Sequence, residues 1–186
     1  NSEKTLFMTF RKKNLDGVNP LITLKNYTCA FLEHEGNFLL MKRAPDRDEN
    51  PDFWSGVGGK MEPDEINDPF SACMREINEE TGMTANHIEN LVLRYIIIRR
   101  YKDVIRQSYI YFGKTNTSKF VDTHEGTLHW ISKDELGEKK YTSTYVKMMQ
   151  HYLSAMSDCN HIFVGTAENV DGNLKMSWSK IEDFID

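Results

Sequence analysis

The sequence predicts a mixed α/β fold: one sheet, a mid-chain helix and a second helix followed by a C-terminal hairpin. Three observations carry this. Runs of branched and aromatic residues recur between turn signals. One helical stretch has clear start and stop residues. A second helical periodicity precedes an Asp171-Gly172 dipeptide flanked by strand patterns.

In chain order, "NYTCAFLEHEGNFLLMKRA" reads as two strands around residues 34–37, a hairpin. "APDRDENPDFW" is a polar, proline-containing loop, and "FWSGVGG" a short strand running into glycines. Asp68 fits an N-cap, Pro69 the first helical position and Gly82 the site just past the helix end. "ENLVLRYIIIRRY" and "IRQSYIYFGKT" are strands by their branched and aromatic content. "GTLHWIS" is a further strand, followed by a helical turn at "KDEL". "YTSTYVKMMQHYLSAM" is a helix, with Tyr145, Met148, Met149, Tyr152, Leu153 and Met156 at helical spacing. No internal repeat, low-complexity tract or clear linker divides the chain, so residues 1–186 are expected to form one domain.

Composition narrows the function classes. The 186 residues are 39% hydrophobic and 27% charged, an ordinary globular balance with enough chain for a sizeable core. No apolar run reaches membrane-span length and no signal-peptide pattern starts the chain, so no membrane partner is expected. Three separated cysteines without CxxC spacing, Cys29, Cys73 and Cys159, argue against a disulfide framework or zinc site and for a reducing cytoplasm. A net charge of −5, with no basic run beyond "RKK", makes long nucleic acid a poor partner. An acidic chain can still take a phosphate substrate if metal ions or local arginines help.

The chemistry concentrates on the helix over residues 70–81. Phe70, Cys73, Met74 and Ile77 fall at i, i+3, i+4 and i+7, a candidate buried stripe. Glu76, Glu79 and Glu80 fall within an arc of roughly 100°, centred roughly 120° from that stripe. Like charges at these spacings repel, and the helix macrodipole disfavours carboxylates at its C-terminal end. Two readings are open: a solvated acidic face, the usual meaning of a charge run, and a divalent-cation site. The dipole penalty and the glycine lead-in, where backbone can approach a ligand, favour the second.

These residues resemble the Nudix hydrolase signature. The family pattern runs Gly, five residues, Glu, seven residues, then Arg-Glu, an aliphatic, any residue, Glu-Glu, any residue, Gly and an aliphatic. Gly59 is followed by KMEPD and Glu65, and Arg75-Glu76-Ile77-Asn78-Glu79-Glu80-Thr81-Gly82-Met83 completes it. The departure is a stretch of nine residues, not seven, between Glu65 and Arg75. Asp68-Pro69 places the extra two before the helix, so the longer loop puts the family contact between Glu65 and the arginine in question. The resemblance is most specific over residues 58–83 and looser from the first hairpin to about Leu136. "FWSGVGGK" resembles the lead-in of family members acting on nucleoside triphosphates, including oxidised purine nucleotides such as 8-oxo-dGTP, a role in sanitising the nucleotide pool.

The resemblance implies a Nudix-type α/β/α sandwich with a C-terminal extension over about residues 141–186. It also implies hydrolysis of a small nucleoside diphosphate-linked substrate with Mg²⁺ or Mn²⁺. The leading expectation is a nucleoside triphosphate cleaved to monophosphate and pyrophosphate. Alternatives are ADP-ribose, a dinucleoside polyphosphate, a nucleotide sugar, or a binding sensor without turnover. By position, Glu76, Glu79, Glu80 and the Gly58 carbonyl are implied metal ligands, and Arg75 holds the helix carboxylates and loop. Glu125 is a candidate ligand or general base, against a plain turn residue; Glu76 is the other candidate base. Arg43 is a candidate phosphate contact and Trp54 a candidate substrate flank, each against an ordinary strand-end or strand-edge role. Arg99, Arg100 and Arg106 could add phosphate contacts, with solvated strand ends the alternative. Trp130 is expected in the core and His124 in a solvated loop. The signature leaves the base, the leaving group and the oligomeric state open.

Overall fold

The computed structural model describes residues 21–45, 51–121, 125–156 and 160–183. Its centre is an eight-stranded mixed sheet. β1 (Thr23–His34) and β2 (Asn37–Arg43) form the first hairpin. Glu35 and Gly36 turn it with φ of 47° and 81°, the paired left-handed conformation that two-residue hairpin turns require. β4 (Ile88–Tyr101) and β5 (Val104–Thr115) pair antiparallel, while β5 runs parallel to β1. β6 (Gly126–Ser132) borders β2 along its whole length. β7 (Ile162–Val170) lies parallel to β4 and carries β8 (Asn173–Ile181) as the outer strand.

Alternation along the strands gives the sheet two apolar faces. Ala30 and Leu32 of β1 meet Cys73 and Ile77 of α1 (Pro69–Thr81). Cys29 and Phe31, on the other face, belong with Met148 and Met149 of α2 (Ser143–His151). Each fully buried large side chain of this kind contributes about 1.5–3 kcal/mol relative to exposure. The α2 helix thus covers the second face of the sheet.

Sequence periodicity predicts one helix through Met156. The α-helix instead ends at His151, and Tyr152–Met156 forms a wider π-helical turn. This turn keeps Tyr152 stacked over Phe112, ring centroids 4.0 Å apart. The terminal hairpin forms as expected, with Asp171 and Gly172 at φ 52° and 81°. Trp178 of β8 ties it to the core, stacking on His151 at 4.7 Å and meeting Tyr95 edge-on at 5.3 Å.

One irregularity positions the site. β1 and β2 pair only from Leu32 to His34 on β1, then part. Residues 54–60 fill the opening. β3 (Trp54–Ser55) holds β2, while Val57 and Lys60 bridge to Ala30 and Tyr27 of β1. The glycine stretch is therefore a wedge in a splayed sheet.

Candidate active site

The helix that borders this wedge is fixed at both ends. The Asp68 carboxylate accepts from the Ser71 N–H at 3.0 Å, and Pro69 opens the helix. Gly82, at φ 73°, ends it by donating its N–H to the Asn78 carbonyl at 2.8 Å. The longer loop before it folds into a 3₁₀ turn at Pro63–Glu65, and Ile66 and Asn67 carry the chain on to Asp68. Glu65 keeps its contact: Arg75 donates to both its oxygens, Nε at 2.7 Å and Nη2 at 2.8 Å. The two additional residues are absorbed without disturbing that fork.

Arg75 spends its remaining donors on the same corner. Nη1 reaches Glu76 Oε1 and Glu79 Oε2, each at 2.9 Å, and Nη2 reaches the Lys60 carbonyl at 3.2 Å. This bidentate pairing holds the Glu65 carboxyl down at about 2.

The three helix glutamates are graded in burial rather than sharing one exposed face. Glu80 is 5% exposed; the side chains of Glu76 and Glu79 are 12% and 57% exposed. The expected stripe is also corrected: Phe70 is 47% exposed, against Tyr111, and Met74 only half-buried. The buried side chains are Ala72, Cys73, Ile77, Glu80 and Thr81. Losing Phe70 and Met74 turns the buried stripe roughly 50° toward the glutamates, which puts Glu80 between Ala72 and Cys73 around the helix. Burial, with Glu76 and Glu125 adding negative charge, pushes the Glu80 carboxyl up to about 8. Burial raises Glu76 as well.

The glycines receive these carboxylates. The Gly58 N–H donates to Glu80 Oε2 at 2.6 Å. Gly58 has φ 149°, a conformation other residues resist, and the carbonyls of its neighbours Val57 and Gly59 accept from β1. Gly59 lies against Glu76 so closely that a Cβ there would stand 2.5 Å from Glu76 Oε2.

A cavity of about 470 Å³ opens beside this corner. Its acidic wall includes Glu76, Glu79 and Glu125, with Gly58 and Gly59 beside Arg75. Glu80 does not line it but lies buried behind. Arg43 and Trp54 reach the cavity, and the Arg43 Nε is buried without a hydrogen-bond partner. Trp54 is half-buried, 5.3 Å from the His129 ring. Arg99 and Arg106 also line the cavity, the latter with its guanidinium 4.7 Å from the Tyr27 ring. Arg100 does not: it is exposed and donates to the Lys102 carbonyl at 2.8 Å, closing the β4–β5 turn. Trp130 packs at the edge of the α1-side core rather than within it, donating to the Ser118 carbonyl at 3.0 Å. His124 and Cys159 lie outside the described residues. Sequence reasoning missed Tyr27, Ser108 and Tyr145 of the cavity wall; strand alternation through Cys29 and Ile110 is the signal that would have found the first two.

Among the described residues, no three His, Cys, Asp or Glu side chains form a ready-made metal cage. The donor set is nonetheless that of a hard cation. It offers carboxylate oxygens on one wall, the Glu80 carboxyl raised by burial and neighbouring negative charge just behind it, and space for water and phosphate oxygens.

A glycine wedge, a glutamate-bearing helix and an adjoining cavity together make one candidate site in an α/β fold. Residues 24–152 match the NUDIX domain, and the chain belongs to that family. It is 35% identical over 82 residues to the nucleoside triphosphatase NudI of Klebsiella pneumoniae strain 342, covering 44% of this chain and 52% of that protein. The NudI of Klebsiella pneumoniae subsp. pneumoniae is 31% identical over 107 residues, 58% of this chain and 63% of that protein. The chain thus spans just over half to nearly two thirds of these relatives. In fold it is similar to a MutT protein from Bacillus halodurans, with TM-score 0.64 and 21% identity over 83% of this chain and 97% of the other. An Ap4A hydrolase from C. elegans matches with TM-score 0.56 and 14% identity, over 74% of this chain and all of the other. No helix among the described residues is long and apolar enough to cross a membrane.

Proposed function

We propose that this chain hydrolyses a small nucleoside diphosphate-linked substrate in a metal-dependent reaction, with a nucleoside triphosphate cut to monophosphate and pyrophosphate as the leading case. The observation that carries the reading is the Arg75 fork joining Glu65, Glu76 and Glu79 beside a cavity that also receives Arg43. The NudI relatives favour the triphosphate among family substrates.

Glu76, Glu79, Glu80 and the Gly58 carbonyl are the residues that would hold Mg²⁺ or Mn²⁺. When bound, such an ion polarises phosphoryl oxygens and lowers the pKa of its water. The protein's own part is placement. Arg75 holds Glu76 and Glu79 in one orientation, and the Gly58 N–H does the same for Glu80. Arg43 lines the cavity, where its guanidinium would meet a phosphate oxygen. Trp54 walls the cavity near it. Water oxygen bonds to phosphorus, the anhydride P–O bond breaks, and pyrophosphate leaves with the electron pair. The water's proton passes to Glu76 or Glu125, the two carboxylates that line the cavity away from open solvent.

A panel of nucleoside triphosphates, 8-oxo-dGTP, ADP-ribose, a dinucleoside polyphosphate and a nucleotide sugar tests this with Mg²⁺ present. Pyrophosphate and phosphate release are read separately. Triphosphate turnover with pyrophosphate release is expected. A folded sample that turns over no triphosphate overturns the leading reading.

A further inference from the structure

The cavity lining also carries cations, opposite in charge to its glutamates. Three adjacent strands change character at the same level on one sheet face. β1 passes from Phe31 and Cys29 to Tyr27 and then Lys25. β5 passes from Phe112 and Ile110 to Ser108 and then Arg106, and β4 from Tyr95 and Ile97 to Arg99. Register aligns these changes. Tyr27 pairs with Ser108 and Ser108 with Ile97; one step on, Lys25 pairs with Arg106 and Arg106 with Arg99.

Cross-strand partners point to the same face, so three cations form one row across β1, β5 and β4. Like charges directly opposite one another destabilise a sheet. Packing of the core does not call for them, because the apolar cluster on this face ends one step earlier. Arg99 and Arg106 both line the cavity and both act electrostatically on the Tyr145 hydroxyl. Arg106 is further held over the Tyr27 ring. Arginine offers a planar fork that matches phosphate, and stacking on an aromatic ring pre-orients it. Ser108, Tyr27 and Tyr145 line the cavity as well.

We propose that Arg99 and Arg106, with Lys25 at the outer end of the row, form an anion subsite that holds a second ionised group of the substrate, a phosphate monoester, away from the anhydride that is cut. This rests on the hydrolase reading for the position of the anhydride, but the subsite itself is testable without turnover. It narrows the substrate class to nucleotides phosphorylated at a second position.

The test uses the full chain and matched ligands. Binding of adenosine 3′,5′-bisphosphate is compared with 5′-AMP, and guanosine 3′,5′-bisphosphate with 5′-GMP, by calorimetry without added metal. At least one bisphosphate is expected to bind ten-fold or more tightly than its monophosphate, with the ratio falling as salt rises. In R99Q/R106Q that ratio falls to within two-fold of one, whereas R99K/R106K retains part of it. Thermal unfolding of both variants establishes that they are folded before the binding ratio is read. A parent ratio near one, a ratio unaltered in R99Q/R106Q, or no binding of any of the four ligands overturns the subsite. Loss of triphosphate turnover with the binding ratio intact overturns only the hydrolase reading.

Discussion

The two ends of the cavity are built by different means. The acidic wall comes mostly from one continuous stretch, residues 58–80, where a glycine wedge and one helix supply most groups and Arg75 binds them together. The cationic end comes from strands far apart in sequence, where register sets Arg106 beside Arg99 in the lining and Lys25 next in the row outside it. Local chemistry makes the first end rigid: caps, a bidentate fork and a backbone N–H on a buried carboxyl. The second depends on the sheet keeping its pairing, since a one-residue slip of any of the three strands would move that strand's cation to the other face.

The largest effects are expected at the acidic end. Glu76→Gln should lower kcat about 10²–10⁴-fold if its carboxylate takes the proton, with Glu125→Gln the matched control. Comparing their pH–rate profiles at saturating metal identifies the base, since a lost ligand raises the metal requirement whereas a lost base removes a limb of the profile. Glu80→Gln is expected to abolish metal-dependent turnover while stabilising the metal-free fold. The Glu80 carboxyl holds its proton up to about pH 8 when folded, against an ordinary value of 4.5. Its contribution is therefore full below about 4.5 and lost as pH rises through 8. Thermal unfolding of metal-free protein should show the variant gaining most above pH 8; no gain there would contradict the burial argument.

Gly59→Ala separates geometry from stability. The new methyl would meet the Glu76 carboxylate, the movable end of a side chain, not backbone. Turnover should fall about 10²-fold, as for an ångström-scale displacement of a catalytic group. The unfolding midpoint should barely change.

Glu65→Gln is a stability test of the Arg75 fork. Losing the charge on one partner is expected to cost about 1–2 kcal/mol at neutral pH by denaturant unfolding. Glu65 is held at about 2, below its ordinary 4.5, so its contribution is present above 4.5 and lost as pH falls through 2. Parent and variant should converge on acidification.

This contrast also explains what could be read from sequence. The glutamate helix and its caps were legible because the signals sit within one or two turns of each other: Asp68, Pro69 and Gly82 mark the ends and the motif supplies the spacing. Both hairpins were legible because Glu35-Gly36 and Asp171-Gly172 adopt the left-handed turn conformation their composition suggests. The burial of Glu80 was not, because helical angles alone could not tell that Phe70 would face outward against Tyr111. The integrity of Arg75–Glu65 was not, because a loop count does not show that a 3₁₀ turn absorbs two residues. The arginines could be named as candidates, but choosing Arg99 over Arg100 needed the sheet register.

That choice sets the smallest expected effect. Arg99 and Arg100 are adjacent in one strand and so point to opposite faces. Arg99 faces Arg106 and the cavity; Arg100 faces Ile105 across the strand pair, and its Nε donates to the Lys102 carbonyl near the turn. Arg100→Gln removes an exposed contact at a hairpin end, which places its stability cost within about 0.5 kcal/mol. Its kcat/KM should match the parent on every substrate that turns over. Arg99→Gln, one residue away, should change KM for a substrate phosphorylated at a second position and leave other nucleotides nearly unaffected. Equal behaviour of the two variants would show that the row of cations does not face the substrate, and would leave recognition to the acidic wall with Arg43 and Trp54.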